Sequence, residues 1–208
     1  MKKIVYILLF ITFLVVVRLF FAAIYTVNQN SMNNTYHNGE KVLLIKNFYK
    51  IRHNDILIFN HDNEHLIKRC IGLPGDSIKS INGKIFVNNN EIENPPEAIL
   101  KNCYKNDVFI QKVIYDSYGS NWNPLNFNYY IIPKKGTKIN LSTKNKSLYE
   151  NLINLDNDNV LIQNQSFYVF KNDYYYLIGD NRSESVDSRF FGPVKSSNIA
   201  GKVIFPVK

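Results

Sequence analysis

A chain of 208 residues with 45% hydrophobic and 20% charged residues is long enough to bury a core and too apolar to be disordered. Its formal charge of +8 invites a nucleic-acid partner, yet the nearest approach to a basic cluster is the scattered set Lys134, Lys135, Lys138, Lys144 and Lys146, which argues against one. The two cysteines, Cys70 and Cys103, lack a CxxC spacing and a nearby histidine pair, which excludes a metal framework and leaves a disulfide or a buried thiol open.

Lys2 and Lys3 precede an uninterrupted apolar run over residues 4–17, which Arg18 interrupts before apolar character resumes over 19–27. At about 1.5 Å per residue the first run spans only ~21 Å. A helix continued to residue 24 reaches ~31 Å, the depth of a hydrocarbon core, provided that Arg18 snorkels to the headgroups. Residues 1–27 therefore read as a cytoplasmic tip and an uncleaved transmembrane anchor, because Ala22-Ala23-Ile24 makes a poor signal-peptide exit. The leading lysines stay inside and the body lies on the extracytoplasmic side of a single crossing.

From residue 28 the texture changes to short segments rich in Tyr, Phe and β-branched residues, which predicts a mainly β body. Strands are expected over 40–46, 55–59 and 66–71. Leu73-Pro74-Gly75-Asp76 reads as a turn, and Asn82-Gly83 between apolar flanks is a strong hairpin signal. Asn94-Pro95-Pro96 breaks this pattern. Residues 97–165 then read as an inserted subdomain with no catalytic pattern, containing a turn at 133–136 and a short helix over 148–155. Strands return over 166–170, 174–178 and 201–207, so 28–96 and 166–208 form the two halves of one β core.

Three segments carry candidate chemistry: Ser31-Met32, then Lys68-Arg69-Cys70-Ile71-Gly72-Leu73-Pro74-Gly75-Asp76, then the polar stretch from Gly179 to Gly192. That stretch has too few apolar side chains for a core strand, so hydrogen bonds and ion pairs must hold it, with Asp187–Arg189 or Asp180–Arg182 as possible pairs. A hydroxyl nucleophile needs a base, and none of His37, His53, His61 and His65 lies in these segments. A lysine serves if burial strips its charge, and Lys68 follows Leu66 and Ile67 in an apolar strand.

Together, in this order after an anchor, the three segments resemble the signature boxes of the type I signal peptidases, the bacterial leader peptidases. The similarity lies in the anchor, 28–96 and 166–208, including the strand Asp55-Ile56-Leu57-Ile58-Phe59. The resemblance implies a mainly β, signal-peptidase-like catalytic fold carried by one N-terminal transmembrane helix. It implies a Ser-Lys dyad endopeptidase that removes signal peptides from exported preproteins after small residues, at the outer face of the cytoplasmic membrane. Its partners would be signal peptides and membrane lipid, with no metal or organic cofactor. Ser31 would be the nucleophile and Lys68 the general base. Ser185 would orient the lysine amine, and Asp187 and Arg189 would hold the site together. Met32 and Ile67 would line shallow substrate pockets. The Ser31 backbone N–H would supply one oxyanion donor. Gln29 stands where the family carries Ser, Thr or Gly, so its side-chain amide is the candidate second donor. Asn34, Tyr36 and Asn54 also depart from the family's usual Pro, Leu and Gly. The competing reading is a weak or inactive membrane-tethered protein that binds signal peptides without cutting them.

Overall fold

The computed structural model describes residues 2–47, 49–96, 98–99, 123–142, 146–157 and 166–207. Helix α1 (Lys2–Phe20) stands apart from the body, with its large apolar side chains exposed from Ile4 through Val16. The hydroxyl of Thr12, the polar side chain of the run, donates to the Leu8 carbonyl at 2.9 Å and so is satisfied within the helix. The helix does not continue to residue 24 as the apolar pattern suggests. It ends at Phe20, and Ala22–Thr26 forms strand β1 (Ala22–Thr26), paired in antiparallel register with β2 (Lys41–Ile45). An apolar run carries no period that separates helix from strand, and the ladder to β2 decides the outcome. Among the described residues no helix is long and apolar enough to cross a membrane.

The chain continues through β3 (Ile56–His61), β4 (Glu64–Gly72), β5 (Ser77–Ile81), β6 (Lys84–Val87), β7 (Asn90–Glu91), β8 (Phe127–Ile131) and β9 (Lys138–Asn140). Helix α2 (Lys146–Asp156) follows, then β10 (Phe167–Val169), β11 (Tyr174–Ile178), the short α3 (Ser188–Phe191), β12 (Val194–Lys195) and β13 (Ile199–Val207). Among the described residues the main sheet has seven strands in the order β1-β2-β13-β3-β4-β11-β12. A second sheet runs β7-β6-β5-β8, and β9 pairs with β10. The body is therefore mainly β.

Turn chemistry sets the hairpins. Asn82 and Gly83 join β5 to β6 with φ of 51° and 80°, a pair of left-handed residues whose twist matches the strands they connect. Asp62 and Asn63, at 48° and 64°, do the same between β3 and β4. At Leu73-Pro74-Gly75-Asp76 the Asp76 N–H donates back to the Leu73 carbonyl, and Gly75 sits at φ 94°.

Both faces of the main sheet are covered near its centre. Ile58 and Ile67 pack with Val27, Met32, Tyr36, Val42, Leu44 and Val203. Their strand neighbours Leu57 and Leu66 pack with Phe59, Cys70, Leu177 and Val194. A third cluster joins the sheets: Ile71, Ile78 and Tyr174 pack with Phe127 and Tyr130 of β8 and with Tyr149, Leu152 and Ile153 of α2. The described part of 97–165 thus shares a core with the segments on either side of it. Cys70 is a free, buried thiol whose pKa is pushed up by burial, which makes it inert; Cys103 lies outside the described residues.

Candidate active site

Ser31 sits in a tight turn just past β1. The Asn33 N–H donates to the Asn30 carbonyl, and the Tyr36 N–H donates to the Met32 carbonyl. The turn passes through Asn34 at φ 74°, which asparagine tolerates and a proline ring forbids. The absence of the family's proline there goes with this backbone shape.

Lys68 reaches the turn from β4. Its register partner is Leu57, in the apolar cluster with Leu66 and Cys70, so the lysine stem runs through dry surroundings. The Nζ of Lys68 lies 2.6 Å from Ser31 Oγ, and the two residues are only 1% and 3% exposed. Burial is the largest influence on the amine and lowers its pKa from 10.5 to about 8. The Asp187 charge works against that shift and the Arg189 charge adds to it.

The polar loop after β11 wraps the serine turn. The Asn181 N–H donates to the Ser31 carbonyl at 3.0 Å, and Asn181 Nδ2 donates to the Asn30 carbonyl at 3.1 Å. The Asp180 N–H points at Met32 Sδ, 3.4 Å away. The Asp180 carboxylate receives Arg69 Nε and Nη2 at 2.9 and 2.6 Å, together with the Thr35 hydroxyl at 2.6 Å. Of the two ion pairs the sequence suggests within this loop, Asp187–Arg189 forms at 2.7 Å. Asp180 instead takes Arg69, while Arg182 Nε donates to the Gly179 carbonyl.

Asp187 is fully buried and caps α3. It accepts from the Gly179 N–H, the Ser185 hydroxyl, and the Arg189 backbone and guanidinium. Burial by itself would raise its pKa, but the Arg189 charge and these hydrogen bonds outweigh that and hold it below 3.8. Ser185, which the resemblance assigns to the lysine amine, gives its hydroxyl to Asp187 Oδ2 at 2.7 Å. It still lies near the serine turn: a Cβ added at Gly179 would lie 2.2 Å from Ser185 Oγ and 2.6 Å from the Ser31 carbonyl oxygen. Gly179→Ala should therefore push these two segments apart, at a cost of about 1–3 kcal/mol in stability. A denaturant titration that leaves its midpoint at the wild-type value would contradict this packing.

The remaining sequence candidates lie close by. Met32 and Ile67 are fully buried in the cluster beneath the turn. Gln29 Nε2 reaches Glu64 Oε2 at 3.5 Å, at the exposed end of β4. The sequence reading missed Asn181 and the Asp180–Arg69–Thr35 group, which hold the turn around Ser31. Asp180 and Arg69 sit inside the signature boxes and so carried a signal; Thr35 carried none. Among the described residues no group of His, Cys, Asp or Glu gathers to hold a metal ion.

A buried serine hydroxyl touching a buried amine of depressed pKa, on an antiparallel β scaffold, is an arrangement in which the amine can accept the hydroxyl's proton. The chain belongs to the family described as "Signal peptidase, peptidase S26", a family of serine endopeptidases whose profile matches residues 1–208. It is 29% identical to signal peptidase I of Streptococcus pneumoniae serotype 4 over 199 residues, covering 95% of this chain and 88% of that one. It is 35% identical to signal peptidase I S of Bacillus subtilis over 96 residues, 45% of this chain and 52% of that one. A solved signal peptidase I from Enterococcus faecalis aligns at a TM-score of 0.38 and 19% identity, over 76% of this chain and 100% of that one. The family match runs through 97–165 as well, so the resemblance is not confined to the anchor, 28–96 and 166–208 as the signature boxes suggest.

Proposed function

We propose that this chain is a single-pass, membrane-anchored endopeptidase that removes signal peptides from exported preproteins after small residues, with Ser31 as nucleophile and Lys68 as general base. The observation that carries the reading is the 2.6 Å contact between two buried side chains, one of them an amine whose pKa lies at about 8. With the amine neutral, the Ser31 hydroxyl donates its proton to Nζ as Oγ attacks the scissile carbonyl. The resulting ammonium returns the proton to the leaving amine as the peptide bond breaks. A water then attacks the acyl-serine ester and loses a proton to Lys68, which passes it to Ser31 Oγ as the ester bond breaks; the acid product leaves as its carboxylate, its last proton going to solvent. The Ser31 N–H is one donor to the oxyanion. For Gln29 to supply a second, its amide must let go of Glu64. Ser185, Asp187 and Arg189 hold the loop and the charge balance around the amine. Met32 and Ile67 support the floor of the substrate-binding surface.

The exposed apolar girth of α1 supports a membrane anchor, because apolar surface of that size rarely stays uncovered in water. Lys2 and Lys3 would reach the cytoplasmic headgroups, and Arg18, near the other end, would snorkel outward. The detergent-solubilised protein should cut a preprotein bearing A-x-A at that site, and a substrate left whole would sink the proposal. Because burial lowers the lysine pKa, the base form grows as pH rises. We therefore expect kcat/KM to climb about tenfold per pH unit below 8 and to level off above it. A rate unchanged from pH 6 to pH 10 would remove Lys68 from the base role. A protein that only binds signal peptides would need neither the close contact nor the depressed amine.

A further inference from the structure

Away from the Ser31–Lys68 pair, a cleft of about 650 Å³ opens beside the Pro74 turn. Its walls set Lys46, Lys50 and Lys134 against one carboxylate, Asp173, and add the rings of Tyr49 and Tyr175. Asp173 is partly committed, since its Oδ1 accepts the Lys135 N–H at 2.8 Å. Lys50 and Lys134 are exposed, and among the described residues neither makes an ion pair.

The cleft's position gives this charge a meaning. The Lys46 N–H donates to the Phe21 carbonyl at 2.9 Å, and Asn47 Nδ2 donates to the Phe20 carbonyl at 2.5 Å. The rim of the cleft therefore holds the last carbonyl of α1, at Phe20, and the Phe21 carbonyl just past it. With α1 seated in a bilayer, Phe20 lies at the level of the outer headgroups, and the lysines and tyrosines of the cleft lie there with it. Like charges on a concave wall raise the local potential for an anion, and tyrosine prefers the membrane–water boundary.

We propose that this cleft binds the headgroup of an anionic phospholipid of the outer leaflet, with its phosphate oxygens meeting the lysine ammonium groups. The proposal rests on the membrane-anchor reading above and adds a lipid site to it. Bound there, the lipid would tie the β body to the bilayer at a second point beside α1. That second tie fixes the tilt of the body, and so the height at which Ser31 meets a membrane-bound substrate.

The full chain in zwitterionic detergent micelles should be titrated with a short-chain phosphatidylglycerol, a short-chain phosphatidylcholine and inorganic phosphate, with the dissociation constant read by calorimetry. We expect phosphatidylglycerol to bind, phosphatidylcholine not to bind, and inorganic phosphate to bind far more weakly. Each surface lysine is worth about fivefold toward an anionic headgroup, so the double variant Lys50→Gln/Lys134→Gln should bind about thirty-fold more weakly. Equal affinity for the two lipids, equal affinity for phosphate and phosphatidylglycerol, or an unaffected double variant would each overturn the proposal. Alkaline extraction of membranes separates the two readings. Release of the protein into the wash overturns the anchor and the lipid site with it. Retention without any preference for phosphatidylglycerol overturns the lipid site alone.

Discussion

Replacing Lys68 by methionine should abolish cleavage of an A-x-A preprotein, with kcat/KM falling by about 10⁴-fold or more, and should at the same time make the folded protein more stable at neutral pH. The first effect follows from the 2.6 Å contact: without the amine, nothing else in hydrogen-bond reach of Ser31 Oγ among the described residues can take its proton. Ser31→Ala should cost as much, and the double variant little more than either single one, because the two groups act as one unit. The second effect follows from linkage. A folded pKa of about 8 against 10.5 means that the unfolded chain holds the lysine proton more tightly. The penalty is complete below pH 8 and is relieved as pH rises from about 8 to 10.5. A shift of that size corresponds to roughly 3 kcal/mol, part of which is offset by leaving the Ser31 hydroxyl without its partner. Denaturant titrations of wild type and Lys68→Met should therefore differ most at pH 7 and converge toward pH 10. If the variant is less stable at pH 7, or retains turnover, the amine is not a buried base held against its own solvation.

Much of this site is legible in the chain because its boxes are local. Asn82-Gly83 announces its hairpin, Pro74-Gly75 its turn, and the 148–155 pattern its helix, since each is governed by residues adjacent in sequence. Lys68 is legible through its neighbours Leu66 and Ile67 and through the box it opens, and the structure covers both faces of β4. What the sequence hides is set by distant partners. The boundary between α1 and β1 depends on a ladder to β2 that an all-apolar run does not advertise. The pairing of β8 with β5 is equally silent, because Phe127-Asn128-Tyr129-Tyr130-Ile131 alternates weakly and its core partners lie some fifty residues earlier. Thr35 meets Asp180 across 145 positions, and Arg69 meets it across 111, so neither contact could be read from spacing. Their common effect is to tie the Asp180 carboxylate to the chain just after Ser31 and to β4, a role that side-chain type alone does not reveal.

Outside the pair itself, Asp187→Ala should be the most damaging single change, lowering stability by about 3–5 kcal/mol. The carboxylate is fully buried and gathers the Gly179 N–H, the Ser185 hydroxyl and the Arg189 guanidinium, so its loss strands those donors together with an uncompensated cation. Replacing both partners, as in Asp187→Leu with Arg189→Met, should cost less than Asp187→Ala alone, because an apolar pair leaves no buried charge behind. Acid limbs should differ too. The folded pKa of Asp187 lies below 3.8, so its contribution is present above that pH and is lost as pH falls through the lower folded value; the alanine variant should lack this acid-dependent loss. Asp187 also raises the pKa of Lys68, so in the milder Asp187→Asn variant the pH-activity curve should move to lower pH even where kcat falls. A purely structural aspartate would lower activity without moving that curve. A curve that stays in place, or a double replacement as harmful as the single one, would show that the Asp187 charge does not tune the lysine through this network.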